Sequence, residues 1–415
     1  METTILHKVN AMPAPTWNRL HVNDTEVEIP QGLAPAQSVS VRADESLFGK
    51  ADAFDVAMGH LQRDIYGGKD ANHAEEAPLS PNAAKEGIDQ SALSTFQAIS
   101  AQREALRSVT AAFETGMGTE AFEYLRSAAG TPTVLSTAPD QRGALAAIQV
   151  RGIDGGANVV ALDVVAAPGS DLTVYIDLDS PDAGTGIVGS SLRVFAGRDA
   201  QVTIVSTQTL DDTWTALDDT GMVLDAHARV DVRHTVLGAG KSFTGLAGDL
   251  RGEASQTAID TRYLGHNQQE RDFNYTLRHR GAATKSSMDA NGVLAGESEK
   301  TLRGTIDFIR GCKGASGQEA ETVLIVDDHA SNRTVPVILC GEDDVAGNHG
   351  ATIGHVRPGQ LFYLQSRGLS PEAAEELFVR ATLEEAAITA PDEAALIGVT
   401  RLGRALLGEF EEVCA

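Results

Sequence analysis

The residues best suited to chemistry lie in "NHGATIGHVRPGQLFYLQSRGLSPEAAEELF", residues 348–378, where His349 stands between Asn348 and Gly350 and His355 follows six residues on. A neutral imidazole can ligate a metal ion or move a proton near neutral pH, and Asn-His-Gly suits a turn with positive φ. The plain alternative for His349 is a surface turn histidine, and His355, entering a loop before Pro358, has only that reading. The three cysteines, Cys312, Cys340 and Cys414, form no CxxC pair, so the chain suggests neither a disulfide framework nor a closed zinc site. Cys312, in "RGCKGASG", has no visible base and reads as a loop thiol. Cys340, ending "VPVILC", reads as a small buried hydrophobe, and Cys414 as part of a disordered end. Asp327-Asp328 and Asp343-Asp344 could in principle cleave glycosides. Adjacent strand residues point to opposite faces, however, so they read as solvated corners.

Two glycine-rich stretches imitate nucleotide sites. Gly184, Gly186 and Gly189 match GxGxxG, but they lead into a strand, "SSLRVFAG", so no helix N-terminus is available to hold pyrophosphate. Gly238-Ala-Gly240-Lys241-Ser242 resembles the end of a phosphate loop, yet Thr235 occupies the first glycine position and "FTGLAG" cannot begin a good helix. Both read as coil corners.

The elements that must position these residues change character along the chain. Residues 1–135 look largely helical, through "AISAQREALRSVTAAFETG" and "TEAFEYLRSAAG", with a flexible loop near 66–90, "KDANHAEEAPLSPNAAKEG". From 136 to 355 short alternating runs take over. "DLTVYI" from Asp171, "DAQVTI" from Asp199 and "HARVDV" from His227 recur 28 residues apart, the spacing of stacked coils rather than hairpins. The expected core is therefore mainly β, a parallel β-helix (solenoid). Histidines 234, 266 and 279 in this core are expected to face solvent. Residues 356–415 revert to helix: Ser370-Pro371-Glu372 is a capped start, with Ala374, Leu377, Phe378 and Ala381 on one face. A second stripe, Leu396, Val399, Leu402 and Leu406, follows. These stripes must cover the end of the stack or another protein.

Composition narrows the function. Lys+Arg 33 against Asp+Glu 58 gives a net charge of -25, which repels a phosphate backbone or an anionic bilayer, so neither nucleic acid nor membrane is an expected partner. The N-terminus lacks a basic start and an apolar run, which with the reduced cysteines points to the cytoplasm.

"NHGATIGHVRPGQLFYLQSRGLSPEAAEELFVRA", preceded by "RDFNYTLRHRG" from Arg271 and "TVPVILCGEDDVAGNHG", resembles the SufB/SufD family of iron–sulfur cluster assembly scaffolds, in register from about residue 143 to 385. The resemblance implies a right-handed parallel β-helix flanked by N- and C-terminal α-helical regions. His-Gly-Ala-Thr at 349–352, where SufB-type chains look like His-Glu-Ala-Thr, and Ala330 in place of an earlier cysteine, make the chain SufD-like. Gly347 departs from the cysteine many SufD-type chains carry there.

The resemblance further implies a non-catalytic subunit that pairs with SufB and docks the ABC-type ATPase SufC, with a cysteine desulfurase or sulfur carrier acting indirectly. His349 would be a metal ligand shared at the SufB interface. The transient iron–sulfur cluster or iron would be held jointly, none by this chain alone, since a cluster usually takes four ligands. Ala374, Leu377 and Phe378 would mark the SufC-docking helix, or else pack on the solenoid. The alternatives are a β-helix carbohydrate enzyme, disfavoured by two tryptophans and 5% aromatic content, and a homodimeric SufB-like scaffold, disfavoured by Ala330.

Overall fold

The computed structural model of the chain describes residues 3–16, 20–35, 38–66, 112–356 and 358–410. The loop expected near 66–90, most of the helix expected before residue 112, and Cys414 lie outside these residues. An antiparallel ribbon comes first, β1 (Thr3–Val9) with β2 (Thr25–Pro30), then β3 (Ala34–Pro35) and β4 (Val39–Ala43). Helices α1 (Ala53–Tyr66) and α2 (Thr119–Ala129) and strand β5 (Thr133–Ser136) lead into the core. The described elements among the first 43 residues are thus strands, where helix was expected. "TEVEIP" buries Val27 and Ile29 on one face, a two-residue period, and β4 runs antiparallel to the first core strand and closes that end of the stack.

The core is a parallel β-solenoid of about eight turns. Its first sheet holds β6 (Ala144–Arg151), β8 (Asp171–Asp179), β10 (Gln201–Thr209), β12 (Arg229–Val236), β14 (Gln256–Gly265), β16 (Lys285–Leu294), β18 (Ala315–Ile325) and β20 (Val345–His355). The second holds β7 (Gly156–Ala166), β9 (Gly186–Ala196), β11 (Trp214–Leu224), β13 (Lys241–Leu250), β15 (Glu270–His279), β17 (Glu299–Phe308) and β19 (Ser331–Cys340). Each coil contributes one strand to each sheet and pairs with the next coil in register, so equivalent side chains stack. Val174, Ile204, Val232, Ile259 and Met288 form one such ladder, all buried, each removed from water at a gain of roughly 1.5–3 kcal/mol.

The coils are unequal in length. Asp171 pairs with Gln201 and Gln201 with Arg229, so the apparent repeat from Asp171 to Asp199 is out of register by two residues. Asp199 and His227 are instead equivalent to each other and to Ala254 and Ala283, the corner residues that turn the chain at positive φ before β10, β12, β14 and β16. Gly238 and Gly240 lie in a corner, while the first stretch runs from the corner at Gly184 into β9, which holds Gly186 and Gly189, so neither precedes a helix. Gly184 turns at φ 101, and Gly189 leaves room for α2, since a Cβ there would meet Leu217 O at 2.5 Å and Leu125 Cδ2 at 3.2 Å.

Helix α2 covers the outer face of the second sheet through Ala121 and Leu125, which pack with Val159, Ile187 and Leu217. An ion cluster pins it: Asp163 accepts from Arg126 at 2.8 Å and from Arg193 at 2.8 and 2.5 Å, while Arg193 also reaches Asp55 of α1 at 3.0 Å. Burial opposes charge at Asp163, yet the two guanidinium groups hold its carboxyl below the usual range.

Three helices close the chain, α3 (Pro358–Ser366), α4 (Pro371–Ile388) and α5 (Glu393–Leu407), and none of the described helices is long and apolar enough to cross a membrane. The apolar stripes of α4 and α5 do not cover the end of the stack. Val379, Leu383, Val399 and Leu402 pack instead on the flank of the solenoid, against Leu237, Leu264 and Ala295 at its corners. Arg401 of α5 donates to Asp179 at 2.9 Å and also to Asp182 and to the Thr209 carbonyl.

Beside it, buried Asp177 has its carboxyl pushed up to about 7 by burial and by Asp392, the N-cap of α5, and by Asp179, against a weak pull from Arg42. A raised carboxyl pKa favours the folded state while protonated. This contribution is full below the ordinary aspartate range and is lost as pH rises from about 4 to about 7. Urea unfolding is expected to show Asp177→Asn more stable than the parent at pH 8, by ~2 kcal/mol, with the difference shrinking steadily and vanishing only as pH falls to about 4. Equal stability at both pH values would contradict the assignment.

Candidate functional site

Every coil of a solenoid covers the one below, and among the described residues the last has none above it. β20 is the terminal strand of its sheet and is exposed along almost its whole length; β19 is half-buried. Pro336 lies within β19, where a missing N–H is tolerated because the strand is an edge. Register fixes which side chains face the interior: Val345, Gly347, His349, Ala351, Ile353 and His355 stand over Ala315, Gly317, Glu319, Glu321, Val323 and Ile325, all of them buried in β18. Asn332, Thr334, Pro336, Ile338 and Cys340 stand likewise over Lys300, Leu302, Gly304, Ile306 and Phe308. Positions that are core in earlier coils are therefore surface here.

His349 is not in a turn. It lies in the middle of extended β20, because parallel pairing with β18 continues through Asn348 and Gly350. Its rung is the continuation of the aliphatic ladder: Met288 pairs with Glu319 and Glu319 with His349. His349 is exposed, on the inner side of the last strand, about 4.8 Å in backbone from the Glu319 rung.

Beneath it is a polar floor. Lys300 donates to Glu321 and to Thr334 at 3.2 Å, Thr334 donates to the other Glu321 oxygen at 2.5 Å, and the Tyr263 hydroxyl donates to Glu321 at 3.3 Å. Burial lowers the Lys300 ammonium, against the pull of Glu321. Two carboxylates thus share one lysine. Glu321 takes the donors, and neither oxygen of Glu319, 5% exposed, has a hydrogen-bond partner among the described residues. Glu319 is nevertheless accommodated. It reaches across to Gly304, where a Cβ would stand 2.1 Å from its Oε1, so only glycine permits this placement. Burial first, and then Glu321, push its carboxyl up to about 7.

The interior histidines depart from expectation. His234 and His279 point inward and His266 is tucked under its corner, all at 7% exposure or less. His234 faces the Tyr275 hydroxyl at 3.5 Å and Asp218 at 3.9 Å, while His279 meets Thr284 at 2.7 Å and Ser286 at 2.8 Å and is held neutral by burial, its pKa lowered to about 4. His266 meets Gln269 at 3.1 Å. These side chains satisfy one another, which makes them structural.

Cys340 is exposed rather than buried, since no coil covers its inward position, and its Sγ donates to the Glu342 carbonyl at 3.3 Å. Cys312 is buried in a loop with its thiol pushed up to about 11 by burial, which keeps it protonated. Asp327 caps a turn and holds His329 at 2.8 Å, and Asp343 and Asp344 form an exposed corner, so neither pair faces a groove. His355 is exposed, 3.8 Å from Asp328. Among the described residues no three histidine, cysteine or acidic side chains gather closely enough to hold a metal ion.

On α4, Ala374 is buried and Phe378 half-buried, which removes both from a fully accessible docking face, whereas Leu377 is 45% exposed. Phe362 and Tyr363 of α3, at 72% and 56%, are the larger exposed apolar groups. They belong to "QLFYL", whose uninterrupted apolar run was the available signal.

The family model described as SUF system FeS cluster assembly, SufBD core domain, matches residues 151–382. Among curated proteins the chain is similar to the iron-sulfur cluster assembly protein SufD of Bacillus subtilis (strain 168), 26% identical over 207 residues, 49% of this chain and 47% of that protein. It is also similar to the SufB protein of the same strain, 29% identical over 135 residues, 32% and 29% of the two chains. A SufBD family protein of Mycobacterium leprae (strain TN) is 33% identical over 143 residues, 34% of this chain and 16% of that one. The matches span half or less of each relative.

The floor has a measurable asymmetry. Lys300→Met strands Glu321 and is expected to cost about 3–5 kcal/mol in denaturant unfolding, whereas Glu319→Gln, removing a carboxylate with no donor, leaves stability equal or higher. Equal losses for both would contradict the partition of donors given above.

Proposed function

The chain belongs to the SufB/SufD family and is SufD-like, and from that premise we propose that it is a non-catalytic scaffold subunit of a cytoplasmic iron–sulfur cluster assembly complex. The observation that carries the reading is the uncovered last coil. Among the described residues nothing pairs with the outer edge of β20, and a second solenoid subunit of the SufB type can extend the sheet there. Iron or a nascent cluster is then the cargo, held between the subunits. His349 fits that role as a half-site: its imidazole stands on the inner side of the edge strand, and among the described residues no ligand cluster gathers around it. Thiolate and carboxylate ligands would come from the partner, and sulfur from a desulfurase or carrier acting through it.

The C-terminal helices are the proposed seat of a SufC-type ATPase, with Phe362, Tyr363 and Leu377 as the exposed apolar contacts. Their attachment to the solenoid flank through α5 and Arg401 gives a nucleotide-driven movement a rigid lever.

Anaerobic purification of the tagged chain from its host and native mass spectrometry are expected to give an assembly containing an ABC-type ATPase and a second solenoid chain. His349→Ala should leave that mass unchanged and lower the cluster reconstituted on the complex at least about tenfold. Replacing Phe362 and Tyr363 by glutamate should release the ATPase alone. A lone monomer or homo-oligomer would overturn the proposal.

A further inference from the structure

The ladder Val174, Ile204, Val232, Ile259, Met288 is apolar through five coils and then changes chemistry in its last two rungs, Glu319 and His349. An isolated carboxylate in an apolar interior is among the costliest groups to bury unless something compensates it. Lys300 is already committed to Glu321 and Thr334. Both Glu319 oxygens are without a partner among the described residues, and Gly304 keeps clear the space they occupy. The rung above them carries an imidazole, on the same side of the sheet, at the one end of the solenoid that is open.

We propose that Glu319 and His349 together form a divalent first-row metal site inside the open end of the solenoid, with Glu319 the inner ligand and His349 the outer one. A carboxylate and an imidazole are a donor set suited to Fe2+ and Mn2+, and two protein ligands leave several positions for water or for groups of a second subunit. Glu319 holds the ion at the bottom and His349 meets it at the mouth, so an ion entering from solvent passes the histidine first. The lysine-bound Glu321 takes no part. The proposal deepens the scaffold reading and rests on it only for the identity of the cargo; its test needs no partner, so it can fail while that reading stands.

The probe is Mn2+ added to the metal-free full chain. Loss of the free-ion signal in electron paramagnetic resonance gives the affinity, and nitrogen modulation in the pulsed experiment reports imidazole ligation. One Mn2+ per chain with nitrogen modulation is expected. Glu319→Gln should weaken it at least about tenfold with the modulation retained on the residual ion, and His349→Ala should abolish the modulation. Asp328→Asn, beside His355 at the surface, should change neither, and circular dichroism checks the fold of each variant. Unchanged affinity in Glu319→Gln, which would make Glu319 a neutral buried acid only, or a parent chain that binds Mn2+ without nitrogen modulation or not at all, would overturn it.

Discussion

Parallel in-register stacking governs this molecule. Because each strand pairs with its equivalent in the next coil, each interior side chain rests on the one below and is covered by the one above. The arrangement buries a continuous aliphatic column without long-range packing choices, and it makes the ends special. At the N-terminal end β4 and β3 pair with the first coil and cover it; at the C-terminal end β20 pairs with β18 and, among the described residues, with nothing beyond it. An exposed edge strand is an aggregation hazard in a monomer and an asset in a subunit.

The polar character of that end follows from the same constraint. Water or a partner reaches the interior positions of β19 and β20, so Thr334 and His355 occupy places that hold Leu302 and Ile325 one coil deeper, and His349 the place of Met288 and Ile259 two and three coils deeper. One coil further in, Lys300 and Glu321 are buried as a pair with their hydrogen bonds completed, while Glu319 is buried without any. A sequence selected for stability alone would place a leucine at Glu319. The helical tail is fastened elsewhere, on the flank, where Arg401 donates to Asp179 and the Asp392 N-cap of α5 lies against buried Asp177.

Much of this was legible in the residues. The alternation in "DLTVYI" and "HARVDV" and the polar corners at Asp199 and His227 identify coils, and the glycine-rich stretches lack the helix a phosphate site needs. What failed was what depends on register. The orientation of His234 and His279, and the exposure of Cys340, follow from which strand face meets the interior and from where coils run out, neither of which a single strand reveals. Asn-His-Gly has turn chemistry, yet pairing with β18 keeps His349 extended. Glu319 was invisible for the same reason: "ASGQEAETVLI" offers two glutamates at alternate positions, and only the strands on either side determine that one is paired and the other is not.

The central claim, that the uncovered last coil is where a second subunit joins, is tested most directly by hydrogen exchange of residues 345–355 in the isolated chain and in the purified assembly. The account predicts fast exchange of the outward backbone amides of β20 in the isolated chain and strong protection in the assembly, with the amides of β4 unchanged. Equal exchange of β20 in both states, with protection appearing elsewhere, would contradict it.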